Sequence, residues 1–116
     1  MAYIPGYLLK KVYVKGSMRL SQEGLEFRLR NDLASAQLTG LSVEVDGRPV
    51  EAYIEIGGEK RPTSSISPAS PILFPRGSEA KITAIGSFAP GKHRVAVRAR
   101  VAGFGEGKLE IEDEAR

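Results

Sequence analysis

Polar and apolar residues alternate with a period of two along most of this chain. In Lys11-Val12-Tyr13-Val14-Lys15-Gly16-Ser17-Met18-Arg19-Leu20, the side chains of Val12, Val14, Met18 and Leu20 share one face and Lys11, Lys15 and Arg19 the other. Successive side chains of a strand point to opposite sides, so this spacing predicts a half-buried strand. After a hairpin connection at Ser21-Gln22-Glu23-Gly24, the next strand sets Leu25, Phe27 and Leu29 against Glu26, Arg28 and Arg30. A third strand is expected from Ala36 to Val45, with Leu41, Val43 and Val45 inward and Gly40 marking a bulge. Asp46-Gly47 predicts a tight hairpin turn, because the turn requires positive φ. A fourth strand is expected from Val50 to Ile56, closed by Gly57-Gly58.

Between Arg61 and Gly77 the alternation stops. The prolines at 62, 68 and 71 forbid a central strand, so a surface crossing is expected there, pinned to the core by Ile72, Leu73 and Phe74. Alternation resumes from Glu79 to Phe88, turns at Ala89-Pro90-Gly91-Lys92, and is clearest where Val95, Val97, Ala99 and Val101 oppose Arg94, Arg98 and Arg100. A glycine-rich bend, Gly103-Phe104-Gly105-Glu106-Gly107, precedes a last strand carrying Leu109 and Ile111 inward. About seven short strands and no amphipathic helix predict an all-β fold. An antiparallel sandwich of the immunoglobulin or fibronectin type III kind is favoured over a small barrel, since the proline-rich crossing suits a link between sheets. Residues 10–116 would form this single domain, behind an apolar arm at residues 1–9.

Composition narrows the chemistry. At 116 residues and 41% hydrophobic, the chain can build one core without staples. It has no cysteine, so disulfides and thiolate chemistry are excluded. Neither a membrane-spanning run nor a secretory signal is expected, which makes a cytoplasmic location the default. A single Asn, few Gln and Met, and many Arg and Glu give the chain a thermophile-like character.

The opening Ile4-Pro5-Gly6-Tyr7-Leu8-Leu9-Lys10-Lys11-Val12-Tyr13-Val14-Lys15-Gly16-Ser17, followed by Gly24-Leu25-Glu26-Phe27, resembles a small prokaryotic family over the first third of the chain. Some of its members carry the label hydroxymethylglutaryl-CoA reductase. That label implies a nicotinamide cofactor, a CoA thioester and acid–base groups. The chain has no glycine-rich phosphate loop opening a helix. The label is therefore expected not to describe an activity of this domain, and no site residue follows from it.

No catalytic, cofactor or metal site is expected from the residues themselves. His93, the one histidine, sits between Lys92 and Arg94 with no acidic sequence neighbour, predicting an exposed, neutral imidazole at a strand start. One histidine cannot make a histidine zinc site. Ser64, Ser65, Ser67 and Ser70 lack a nucleophile elbow and read as loop residues. The acidic run Glu110, Glu112, Asp113 and Glu114 is expected to pair across strands with Arg98 and Arg100.

Two surfaces remain. Lys11, Lys15, Arg19, Arg28 and Arg30 would form a basic strand face able to meet a polyanion such as nucleic acid, although the net charge is only +3. The arm Tyr3, Ile4, Tyr7, Leu8 and Leu9 either folds over an open end of the sandwich or docks on another copy. The leading expectation is a non-catalytic interaction or structural module that self-associates through this arm. Polyanion binding is the alternative.

Overall fold

A computed structural model describes residues 4–116. The chain begins with a single helical turn, α1 (Gly6–Leu9), continued by a 3-10 turn at Lys10–Val12. Ten strands follow: β1 (Arg19–Leu20), β2 (Gly24–Arg30), β3 (Ala36–Val45), β4 (Arg48–Val50), β5 (Ala52–Ile56), β6 (Glu59–Pro62), β7 (Ile72–Phe74), β8 (Glu79–Ile85), β9 (Gly91–Val101) and β10 (Gly105–Ala115). They form two antiparallel sheets, one ordered β1-β2-β8-β5-β6 and the other β10-β9-β3-β4, with β7 extending the second along β3. Stripped of the short β6 and β7, this is the four-on-four arrangement of immunoglobulin-type sandwiches. The sheets do not close into a barrel. No helix among the described residues is long and apolar enough to cross a membrane.

The core is the inward half of each alternating strand. Leu25, Phe27 and Leu29 of β2 face Ala80, Ile82 and Ala84 of β8, while Val43 and Val45 of β3 pair in register with Val97 and Val95 of β9. At about 2 kcal/mol per fully buried large side chain, this layer supplies most of the driving force. The Asp46-Gly47 turn has φ of 52° and 82°, as its strand twist requires. Gly40 does mark a register shift in the β3–β9 ladder.

Three boundaries differ from expectation. The stretch 11–20 is not one strand: it is a 3-10 turn, an isolated bridge from Tyr13 to Leu29, a turn at Gly16 with φ of 80°, and the two residues of β1. Leu8 and Val12 are four residues apart and Leu9 and Val12 three, so helical spacing overlaps the alternation and wins in the first half. The expected fourth strand divides at Glu51, where the chain leaves one sheet for the other. Gly57-Gly58 turns into β6 rather than ending the sheet, and Pro62 is tolerated because β6 is an edge.

The proline-rich crossing is ordered by one side chain. The Arg61 guanidinium donates to the carbonyls of Ser65, Ser70 and Pro71 at 2.8, 2.9 and 3.0 Å. Ser65 and Ser67 are engaged locally with Pro62 and Ser70, which fits their reading as loop residues.

Gly24 lies where β2 meets β8, and a Cβ there would run into the Ala84 carbonyl oxygen, a backbone atom that cannot swing aside. Gly24→Ala is expected to destabilise the domain by about 3 kcal/mol, read as a fall in the denaturant midpoint. An unchanged midpoint would show that this close approach is not needed.

Candidate functional site: an apolar chamber and a histidine clamp

The two sheets are not filled evenly from end to end. Met18, Leu25 and Phe27 are at most 1% exposed and lie outside the apolar chamber. Around Leu29 the inward positions of the opposite sheet carry small residues, with Ala99 of β9 beside Gly107 of β10 and Ala36 starting β3. The result is a chamber of about 290 Å³ between the sheets. Leu29, Ile54 and Ile82 form one wall; Leu38, Val97 and Val101 belong to the other. The arm provides the roof through Ile4, Leu8, Leu9 and Val12.

Gly107 explains how the roof seats. A Cβ at that position would lie 2.7 Å from the Leu9 Cδ1 and 3.3 Å from the Ile4 Cβ, so the missing side chain is the notch into which the arm packs. One backbone hydrogen bond, Ile4 N–H to the Glu106 carbonyl at 3.0 Å, ties the arm to the edge of β10. Tyr7, Leu33 and Phe104, three of the four large apolar side chains that stay exposed, lie on the arm or at the chamber rim. Tyr3 of the expected arm lies outside the described residues.

Asn31 is the one polar side chain in the lining, and both its N–H donors are used. It donates to the carbonyls of Ala34 and Phe74 at 2.8 Å each and accepts from the Leu33 N–H at 3.1 Å. Among the described residues no buried side-chain nitrogen or oxygen lacks a partner. A fully enclosed, empty void of this volume would cost about 7 kcal/mol by the scaling from core truncations. That is comparable with the stability of a whole domain.

A larger depression of about 470 Å³ lies over the β3 bulge, beside Arg98, Arg100 and Lys108. Its cations are already paired, with Glu44, Glu106 and Glu110 respectively. This corrects the expected cross-strand pairing: Arg98 faces Lys108 in the ladder and Arg100 faces Glu106, while Glu112 pairs with Arg94 and Lys92. The third residue of the acidic run, Asp113, accepts the Tyr13 hydroxyl at 2.7 Å and the Gly16 N–H at 2.9 Å. Burial pushes the Asp113 carboxyl up, but these donors and the Glu114 N–H bring it below the usual range. No group of acidic or histidine residues that could hold a metal occurs among the described residues.

The expected basic face is divided. Arg28 and Arg30 stand on β2, Arg19 on β1, and each meets an acid: Glu79 at 3.8 Å, Asp32 at 3.0 Å and Glu26 respectively. Lys11 is on the 3-10 turn and Lys15 in the following turn, so the five cations do not share one strand pair.

His93 also departs from expectation. It is only 9% exposed, and the register that opposes Val45 to Val95 brings Asp46, distant in sequence, beside it. Its Nδ1 lies 2.6 Å from the Asp46 Oδ2 and its Nε2 2.6 Å from the Ala89 carbonyl. Both neighbours are acceptors, so the imidazolium, with two N–H donors, is the form that satisfies both. The Ala89 carbonyl foremost, then Asp46, raise the histidine pKa above its ordinary 6.5. The Arg94 N–H and then His93 lower that of Asp46 below 3.8. Neither ring nitrogen is free to act as a base.

Fold and interior thus define an immunoglobulin-type sandwich with an arm-roofed apolar chamber. The chain belongs to the family described as hydroxymethylglutaryl-CoA reductase, N-terminal domain, which it matches over residues 8–116. The likeness therefore extends far beyond the first third of the chain, and it omits Ile4 to Tyr7. No curated protein matches the chain.

The clamp sets a pH dependence. The raised His93 contributes stability that is complete below the unfolded value of 6.5 and lost as pH rises through the higher folded value. The lowered Asp46 contributes stability present above 3.8 and lost as pH falls through its folded value. Wild type should therefore exceed His93→Ala most between pH 4 and 6.5. The gap should narrow by about 1 kcal/mol at higher pH, a figure reduced for the solvent at Asp46. Thermal melts across pH check this; a gap that widens above neutrality would refute the clamp.

Proposed function

We propose that the domain is a non-catalytic interaction module that associates with a second copy of itself through its apolar end. The observation that carries this reading is that Leu33 and Phe104, which line the chamber, and Tyr7, on the arm that roofs it, are all exposed. Contiguous apolar surface on a soluble domain marks interaction sites. Edge pairing is the less favourable route. The long edge strand β10 carries Glu106, Glu110, Glu112 and Glu114, and like charges set against each other guard such edges.

The reductase in the family description is an activity of enzymes larger than a single sandwich, and a supporting role fits this domain better than the chemistry itself. The engagement of both His93 nitrogens and of the buried polar side chains supports that view. Polyanion binding has weaker support, because three of its five proposed cations are partnered by acids. The absence of cysteine suits a reducing compartment, and we infer a cytoplasmic location.

Light scattering tests the association. Wild type is expected to show twice the chain mass, and a Leu33→Glu/Phe104→Glu variant the monomer mass. A wild type that stays monomeric at high protein concentration would sink the proposal. On immobilised heparin at low salt the domain is expected to elute without retention; firm retention that weakens steeply with salt would favour the polyanion reading instead.

A further inference from the structure

We infer that the chamber is a ligand site for one unbranched hydrocarbon chain of about ten carbons bearing a carboxylate, a medium-chain fatty acid. This goes beyond the self-association reading and needs no second copy.

Size comes first. A methylene group takes about the volume of a liquid water, roughly 30 Å³, so 290 Å³ holds about ten, and the volume lies just below the usual range of small-molecule pockets. The chemistry of the walls comes second. With the Asn31 amide making three of its four possible hydrogen bonds, the side chains of the lining offer a polar body no free donor. Sugars, nucleotides and other molecules with polar groups along their length would lose their hydration there without compensation. A hydrocarbon loses nothing.

Entry and orientation follow from the arm. The roof is one helical turn and a 3-10 turn, joined to the β10 edge, among the described residues, by one backbone hydrogen bond and by Leu9 in the Gly107 notch. Such a segment opens at far lower cost than a sheet. Lys10 and Lys11 lie between Leu9 and Val12, both of which line the chamber. Both lysines are exposed and neither takes part in an ion pair among the described residues. They place positive charge on the arm, next in sequence to two residues of the roof. That selects an anionic head over a neutral one.

Calorimetric titration of the full chain with decanoate, decanol and butyrate is the test. Decanoate is expected to bind saturably at one per chain, decanol at least tenfold more weakly, and butyrate undetectably. Ala99→Leu and Ala36→Leu each fill the chamber and should abolish decanoate binding while melting no lower than wild type. A Lys10→Ala/Lys11→Ala variant should bind decanoate no more tightly than decanol. No saturable binding by wild type, binding of decanol as tight as decanoate, or undiminished binding by both filled variants would overturn the inference. Light scattering on the same samples reports self-association separately, so failure of either reading is visible without the other.

Discussion

Everything in this molecule depends on keeping two alternating β-layers about 10 Å apart, a spacing that side chains from both must fill. Where β2 offers Leu25 and Phe27, and Met18 joins from the connection before it, the requirement is met and these residues are essentially inaccessible to water. Where β9, β10 and β3 offer Ala99, Gly107 and Ala36, it is not met. Sheets cannot collapse locally to close such a gap, because each strand is tied to its neighbours by a ladder of hydrogen bonds. The chamber is thus a consequence of side-chain size at a few inward positions. The arm covers it with Ile4, Leu8, Leu9 and Val12.

The same division into wet and dry faces governs the charges. On the outer surfaces they form short ladders of mixed sign, such as Lys81 with Glu55 and Arg28 with Glu79. Each of these exposed pairs is worth between nothing and about 1 kcal/mol, so their main effect is on what the surface attracts. A face whose arginines are matched locally presents little field to a distant polyanion. Two polar contacts of another kind tie connecting segments to strands: Asp46 with His93 holds the β3–β4 turn to the start of β9, and Tyr13 with Asp113 holds the arm's continuation to β10.

Much of this was legible in the residue pattern. β2, β3 and β9 alternate cleanly, and Asp46-Gly47 announced its turn, so the sandwich could be read directly. Residues 11–20 misled because Val12 and Val14 alternate while Leu8, Leu9 and Val12 also keep helical spacing. A segment that caps an end rather than pairing obeys the second rule. The change of sheet at Glu51 left no trace, since the alternation continues on both sides of it. His93 was misjudged for a related reason: its carboxylate arrives through strand register, and sequence neighbours report only Lys92 and Arg94. The chamber was least legible of all. Alanine and glycine at inward positions pass as ordinary apolar residues until the strands that carry them are set side by side.

Stability is unevenly distributed as a result. The end bearing His93 is fixed by short hydrogen bonds to a turn and a carbonyl, and the central strands are fixed by complete ladders. Among the described residues, the arm rests on one backbone hydrogen bond to the sheet, a leucine in a glycine notch and the apolar area it covers. Local opening therefore concentrates at the roof of the apolar chamber between the sheets. An apolar group entering there would replace contacts that the sheets lack, whereas entry between the sheets at the end packed by Met18, Leu25 and Phe27 would have to break contacts already made. That asymmetry is the physical reason to look for function at the arm's end of the sandwich and not on its charged faces.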